Sequence, residues 1–188
     1  MNPTPFADLV VSDVVVPTQA IAGSQVEVRY TVTNKGPGPT NIGRWTDQIY
    51  LALDRNRPKS SHGDKFLRSY TQNQLLDVDQ GVDIVTYVTI PKTTGSGIYY
   101  ITPWTDPYNQ VLQDSLAINV NPDDPTDINS SNYKARRIDI IAAELPDLVI
   151  TSVTATPTGQ TILGGSQITV DWTVENQSTG VASPSGWK

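Results

Sequence analysis

One strand pattern governs what this chain can become. GSQVEVRYTVTN at Gly23–Asn34 is echoed by GSQITVDWTVEN at Gly165–Asn176, about 142 residues later. In the first copy Val26, Val28, Tyr30 and Val32 alternate with Glu27, Arg29, Thr31 and Thr33. In the second, Ile168, Val170, Trp172 and Val174 alternate with Thr169, Asp171, Thr173 and Glu175. A period of two places each apolar row on one face of a β-strand and the polar row on the other. The inward positions hold β-branched and aromatic side chains, as a half-buried sheet favours. Two such strands between the same Gly and Asn predict a repeating β module, and the second copy reads as cut short.

The intervening chain supplies further strands. Asp8–Val16 is a first strand ended by Pro17, which has no N–H to give a ladder. Thr18–Gly23 turns into the repeated strand, and Lys35–Gly43, KGPGPTNIG, is a loop. Trp45–Leu53 is a strand with Trp45, Asp47, Ile49, Leu51 and Leu53 on one parity; Asp47 is expected at the rim, where the strand leaves the sheet. Asp54–Lys65 is a polar loop, Phe66–Tyr70 a short edge strand, and Val82–Ile90 a strand closed by Pro91. In the strand Ile98–Asp106, Pro103 demotes the far end to an edge or a bulge. Asn109–Asn129 is irregular, and NPDDPTDINSSN reads as an acidic surface loop. Tyr133–Ala143 is the last strand, with Ile138 and Ile140 toward the core and Arg136–Arg137 on a solvated edge that discourages sheet-to-sheet pairing. No amphipathic helix is found. Seven or so short strands between turn signals predict an all-β, antiparallel β-sandwich.

Residues 1–6 read as a flexible lead-in, 7–143 as the module, 144–146 as a short, stiff linker and 147–188 as the N-terminal part of a second module. PDLVITSV at Pro146–Val153 repeats ADLVVSDV at Ala7–Val14, and SGW at Ser185–Trp187 stands where GRW stands at Gly43–Trp45. The opening MNPTPFADLV lacks the basic and apolar segments of a signal peptide, which fits an internal piece of a longer chain. Leaving the second apolar row bare would forgo about 6–12 kcal/mol, at roughly 1.5–3 for each side chain. Strands from the rest of that domain, or donated by a neighbouring molecule, are therefore expected to order 147–188. With 13 basic and 19 acidic residues the net charge is −6, which argues against a nucleic-acid partner. No apolar run approaches the roughly 20 residues that cross a bilayer. There is no cysteine, so neither a disulfide framework nor a thiolate metal site is available.

The opening DLVV, the block AGSQVEVRYTVTNKG at Ala22–Gly36, WTDQIYLALD at Trp45–Asp54, GIYYITPWTD at Gly97–Asp106 and the terminal Asn132–Tyr133, in that order, resemble the CARDB family, the "cell adhesion related domain found in bacteria". The resemblance covers 7–143 and the start of a second copy. It implies immunoglobulin-like sandwiches, often in tandem, within large secreted or surface proteins of bacteria and archaea, and no defined activity. One departure is the long Asp/Pro-rich segment Gln113–Ser131, with Ser131–Asn132 where the family has a paired Asn-Asn.

Candidate chemistry is sparse. The only histidine, His62, lies in a Ser/Lys/Gly-rich loop, and nothing marks a serine and an acid to join it as a triad. No pair of carboxylates is marked for glycoside hydrolysis either. Calcium is the sharper candidate, because hard cations take several oxygens from Asp/Asn-rich loops. Asp54, Asn56 and Asp64 beside Gly63 form one candidate set; Asp123, Asp124 and Asp127, with Asn129, form another. Asp47 and Asp106 each follow Trp-Thr and are expected at corresponding strand ends. Asx-turns and solvated loops explain the same residues without an ion, and the spacing is not that of an EF-hand loop. Tyr100, Trp104 and Tyr108 are candidates for a carbohydrate-stacking surface. Tyr30, Trp45, Trp172 and Trp187 are better read as core, and one of Tyr99 and Tyr100 must face outward.

These features are those of a non-enzymatic extracellular structural or adhesion module, a repeat unit of a larger bacterial or archaeal surface, fibre or sheath protein. It requires no cofactor, with calcium the one candidate. Its expected partners are neighbouring modules, other copies of the same protein, or a surface polysaccharide. The alternative is a carbohydrate-binding accessory module of a secreted enzyme.

Overall fold

The computed structural model describes residues 5–113, 124, 126, 130–156 and 161–180. The chain divides into two compact units, 1–142 and 143–188. In the first, the strands are β1 (Leu9–Val15), β2 (Gln19–Ile21), β3 (Gln25–Asn34), β4 (Trp45–Ala52), β5 (Lys65–Gln72), β6 (Gly81–Thr89), β7 (Gly97–Thr105) and β8 (Arg136–Ile141). They form two sheets, ordered β1-β3-β6 and β2-β8-β7-β4-β5. All pairings are antiparallel except β2 with β8. This two-sheet order is that of an immunoglobulin-like sandwich. No α-helix occurs among the described residues; Ser60–His62 and Ser130–Asn132 are single 3-10 turns.

The repeated strand explains the sandwich. Val26, Val28, Tyr30 and Val32 of β3 are at most 2% exposed, while Glu27, Arg29, Thr31 and Thr33 alternate outward. Trp45, Ile49 and Leu51 of β4, Ile84 and Val88 of β6, Ile101 of β7, and Ile138 and Ile140 of β8 complete the core between the sheets. The outward face of β3 and β6 is laced by polar pairs: the Tyr87 hydroxyl donates to Glu27 (2.8 Å), Arg29 Nε to Glu27 (2.6 Å), and the Thr31 hydroxyl to Asp83 (2.7 Å). The two cross-strand pairs, Tyr87–Glu27 and Thr31–Asp83, fix register without burying apolar surface.

Asn34 ends β3 and ties the module's start to its loops. Its Oδ1 accepts the N–H of Asp8 and of Gly36 (3.0 Å each), and its Nδ2 donates to the carbonyls of Gly38 (2.8 Å) and Leu76 (3.2 Å). The second unit carries β9 (Leu148–Thr156) and β10 (Thr169–Asn176) as an antiparallel pair, and it repeats these contacts. Asn176 Oδ1 accepts the N–H of Asp147 (2.9 Å) and of Ser178 (3.3 Å), and its Nδ2 donates to Gly180 (2.6 Å). Gly23 and Gly165 enter the repeated strands at φ 88° and 89°, a left-handed conformation that glycine adopts without penalty. Gly38 and Gly180 also correspond: an added Cβ would fall 2.2 Å from Pro5 O and 2.4 Å from the Leu145 carbonyl carbon.

Several expectations change. Asp47 is not at a rim: it is wholly buried, because three neutral donors meet it inside the sandwich. Leu53 lies beyond the end of β4 and is 52% exposed. Thr18–Gly23 contains the short strand β2, which pairs in parallel with Asp139–Ile141 of β8; Arg136 and Arg137 precede that pairing and are exposed. Pro103 sits in an interior strand opposite Ile49. On its other side the β8 ladder ends at Ile101–Arg136, and only Lys134 N–H reaches the Pro103 carbonyl (3.2 Å). The missing donor thus falls in the gap between the β8 ladder and an isolated bridge that pairs Trp104 with Tyr133. Phe6 is held in place, its carbonyl accepting Gly38 N–H (3.1 Å), and Leu145 accepts the Ser178 hydroxyl (2.6 Å). Trp172 is not in a core: among the described residues β9 is the sole partner of β10, and Trp172 is 62% exposed. Trp187 lies outside the described residues.

Candidate functional site

The two Trp-Thr-Asp triplets lie side by side. Antiparallel pairing sets Asp47 opposite Thr105 and Gln48 opposite Trp104, and Asp106 N–H donates to Thr46 O (3.0 Å). They are not at corresponding strand ends: Asp47 is inside β4, and Asp106 is one residue past β7. Asp47 accepts the Tyr30 hydroxyl (2.9 Å), Gln72 Nε2 (2.6 Å) and the Thr105 hydroxyl (2.6 Å); Thr105 in turn accepts Trp45 Nε1 (3.0 Å). Burial raises the Asp47 pKa, and the donors only partly oppose it. Desolvation and the Asp47 carboxylate together push the Tyr30 hydroxyl's pKa far upward. Asp106, at φ 49°, accepts the N–H groups of Gln110 (2.7 Å) and Val111 (3.0 Å) and Gln113 Nε2 (2.9 Å); burial raises its pKa too. Both aspartates are structural ties within the fold. Sequence alternation flagged Asp47 as an exception but carried no sign of its three donors.

The candidate calcium set at the loop after β4 is similarly engaged. Asp64 Oδ1 accepts Leu53 N–H (2.9 Å) and Oδ2 accepts Lys59 N–H (2.8 Å), so this carboxylate closes the loop on itself. Asp54 accepts the backbone N–H (2.9 Å) and side-chain Nδ2 (3.2 Å) of Asn56, an Asx-turn. Asp124 meets the same loop at Arg57. It accepts the Tyr133 and Thr126 hydroxyls and the Arg57 backbone N–H; the Tyr133 bond is the chief cause of its lowered pKa. Asp123, Asp127 and Asn129 lie outside the described residues. Among the described residues no three His, Asp or Glu side chains gather as a metal set, and His62 lies in an exposed turn.

Tyr100, Trp104 and Tyr108 come together on the outer face of the five-stranded sheet. Tyr100 and Trp104 share one parity of β7, and Gln48, opposite Trp104, donates from Nε2 to the Tyr108 hydroxyl (2.7 Å). Tyr50 joins them, its hydroxyl donating to Gln48 Oε1 (2.7 Å) and its ring 6.4 Å from that of Trp104. Tyr133, 1% exposed, packs edge-on to Trp104 at 6.4 Å, and Thr102 between the β7 aromatics is fully buried. Arg55 lies over Tyr100 (5.6 Å to the centroid) and Arg57 over Trp104 (5.9 Å). The rings therefore form an outer packing layer capped by guanidinium groups. Beside it opens a cavity of about 500 Å³ lined by Arg55, Tyr100 and Lys134–Arg137. Those basic residues were not singled out as a site from sequence, because they are distant in the chain.

Against known proteins, no family model and no curated sequence matches the chain. Solved structures do. The chain is similar to the CARDB domain of the PF1109 protein from Pyrococcus furiosus. Identity is 16%, coverage is 73% of this chain and 96% of that one, and the TM-score is 0.47; that crystal structure is of a complex with di-metal ions. β-Glucosidase 3B from Thermotoga neapolitana is 14% identical over 71% of this chain but only 16% of its own, with a TM-score of 0.41. Spo0M, a sporulation control protein from Bacillus subtilis, is 13% identical over 73% of this chain and 50% of its own, with a TM-score of 0.41. The immunoglobulin-like fold itself rests on the strand order and register of the chain.

Proposed function

We propose that this chain is a non-enzymatic structural and adhesion module, a repeat unit of a larger bacterial or archaeal surface, fibre or sheath protein that works outside the cell. The observation that carries the reading is the recurrence of the β1–β3 arrangement in β9–β10, down to the asparagine contacts and the left-handed glycine. A chain that builds the same start of a sandwich twice is organised as a string of modules. The polar interior supports it, since Asp47, Asp64 and Asp106 spend their carboxylate oxygens on hydrogen bonds within the fold. The reading requires no cofactor. Neighbouring modules or other copies supply the partner for β10: Val170, Trp172 and Val174 are 41–62% exposed, whereas Val28, Tyr30 and Val32 in β3 are at most 2% exposed. Antibodies against residues 1–142 test the location. They should label intact cells of the source organism; labelling only after permeabilisation would rule out the surface role.

The cavity beside Tyr100 favours a second reading, a carbohydrate-binding accessory module of a secreted enzyme. Its test is a glycan array probed with the whole chain, on which an absence of any bound glycan would exclude it.

A further inference from the structure

Of the chain's 13 basic side chains, Arg55, Lys134, Arg136 and Arg137 line one cavity of about 500 Å³ beside Tyr100. In a chain of net charge −6 this is a local reversal of sign, and a concave wall of one charge concentrates ions of the other. The cations come from separate segments that the sandwich brings together: the loop after β4 and the start of β8. Arg137 is directly opposite Tyr100 in the β7–β8 register, so both side chains rise from the same face.

Two of the guanidinium groups are already positioned. Arg55 lies over the Tyr100 ring, and Arg137 is clamped by Asp139 through Nε–Oδ1 (3.0 Å) and Nη2–Oδ2 (3.3 Å). Asp139 is the only acid among the described residues lining the cavity. Among the described residues, Lys134 and Arg136 make no side-chain hydrogen bond or ion pair. Planar guanidinium forks matched with a mobile ammonium suit carboxylate or sulfate oxygens, and Thr18 adds a hydroxyl to the lining.

We propose that this cavity binds the carboxylate or sulfate groups of an acidic polysaccharide. The inference rests on the carbohydrate-binding reading and not on the structural one. Three features favour a charged glycan over other ligands. Arg55 and Arg57 cover the Tyr100 and Trp104 rings, which disfavours the open base-stacking surface that single-stranded nucleic acids use. β2 pairs with Asp139–Ile141 of β8, and Val16 and Thr18 line the cavity beside Arg136 and Arg137, so little β8 edge is left for a peptide to add as a strand. The cavity's volume lies in the ordinary range of small-ligand sites, which suits one or two charged sugar units.

The test is affinity electrophoresis of the whole chain in gels holding polygalacturonate, a sulfated galactan or a neutral glucan, with polyglutamate and single-stranded DNA titrated in solution. Polygalacturonate or the sulfated galactan should retard the protein, and added salt should weaken the effect. The double variant Lys134→Gln with Arg136→Gln, verified as folded by its circular dichroism, should lose affinity by about tenfold or more. Retardation by the neutral glucan alone, or an unchanged affinity in the double variant, overturns this inference and leaves the carbohydrate reading standing. Retardation by no glycan removes both. Tighter binding of DNA or polyglutamate than of either acidic glycan also overturns it.

Discussion

At the scale of single residues, the chain's most consequential polar group is Asp47. Removing its carboxylate leaves the Tyr30 hydroxyl, Gln72 Nε2 and the Thr105 hydroxyl facing each other without an acceptor. Asp47→Ala should lower unfolding free energy by about 3–5 kcal/mol in urea titrations. Asp47→Asn keeps one acceptor oxygen and should cost less. It also changes the pH profile. Because burial raises the folded pKa of Asp47, the folded chain holds that proton more tightly than the unfolded chain. The associated stability is complete below the ordinary carboxylate value and is lost as pH rises through the raised one. The destabilisation of Asp47→Asn relative to the native chain should therefore be largest in acid and shrink toward neutral pH; a gap that widens as pH rises would contradict the burial argument. The lowered pKa values of Glu27 and Asp124 act in the opposite direction, but both groups are only partly buried, and the comparison between variants cancels them. Asp64 supplies a contrasting case. As both of its oxygens already accept backbone N–H groups, Asp64→Ala should cost about 1–3 kcal/mol equally with calcium present or chelated. A penalty confined to calcium-containing buffer would make it an ion ligand.

At the scale of elements, the contrast is between β3 and β10, which share a sequence pattern and differ in surroundings. β3 lies between β1 and β6 and faces a second sheet, whereas among the described residues β10 pairs only with β9. A two-stranded hairpin is marginal in water, and the half-exposed side chains of β10 represent roughly 3–6 kcal/mol of unrealised burial. Two consequences are measurable. Amides of β10 should exchange with solvent orders of magnitude faster than those of β3. Trp172 should emit as a solvent-exposed indole in dilute solution and shift to the blue as concentration rises, if other copies cover that face. An emission that is already blue-shifted and independent of concentration would show that the face is covered within one chain.

At the scale of the molecule, each of the two units carries its own hydrogen-bonded sheet system. The first has a continuous core and should unfold as one cooperative step. Deleting residues 143–188 should leave its melting temperature within about 2 °C of the whole chain's, by differential scanning calorimetry. A larger fall would show that the second unit stabilises the first.

The alternation in Gly23–Asn34 and its echo determined the strand, its buried face and the all-β class, because a period of two admits one backbone. Turn residues located most of the other strands, since proline and glycine act on the chain locally. Sequence did not reveal β2, whose three residues become a strand only by pairing with β8, more than a hundred positions away. Nor did it reveal that Asp47 lies inside, or that Arg55 and Arg136 share a cavity, since those facts depend on contacts between distant segments. The repeat shows the division most clearly. Tyr30 and Trp172 hold the same place in the same pattern, and one is buried while the other is exposed. Local sequence sets which face of a strand is apolar; only the strands packed against it decide whether that face leaves water.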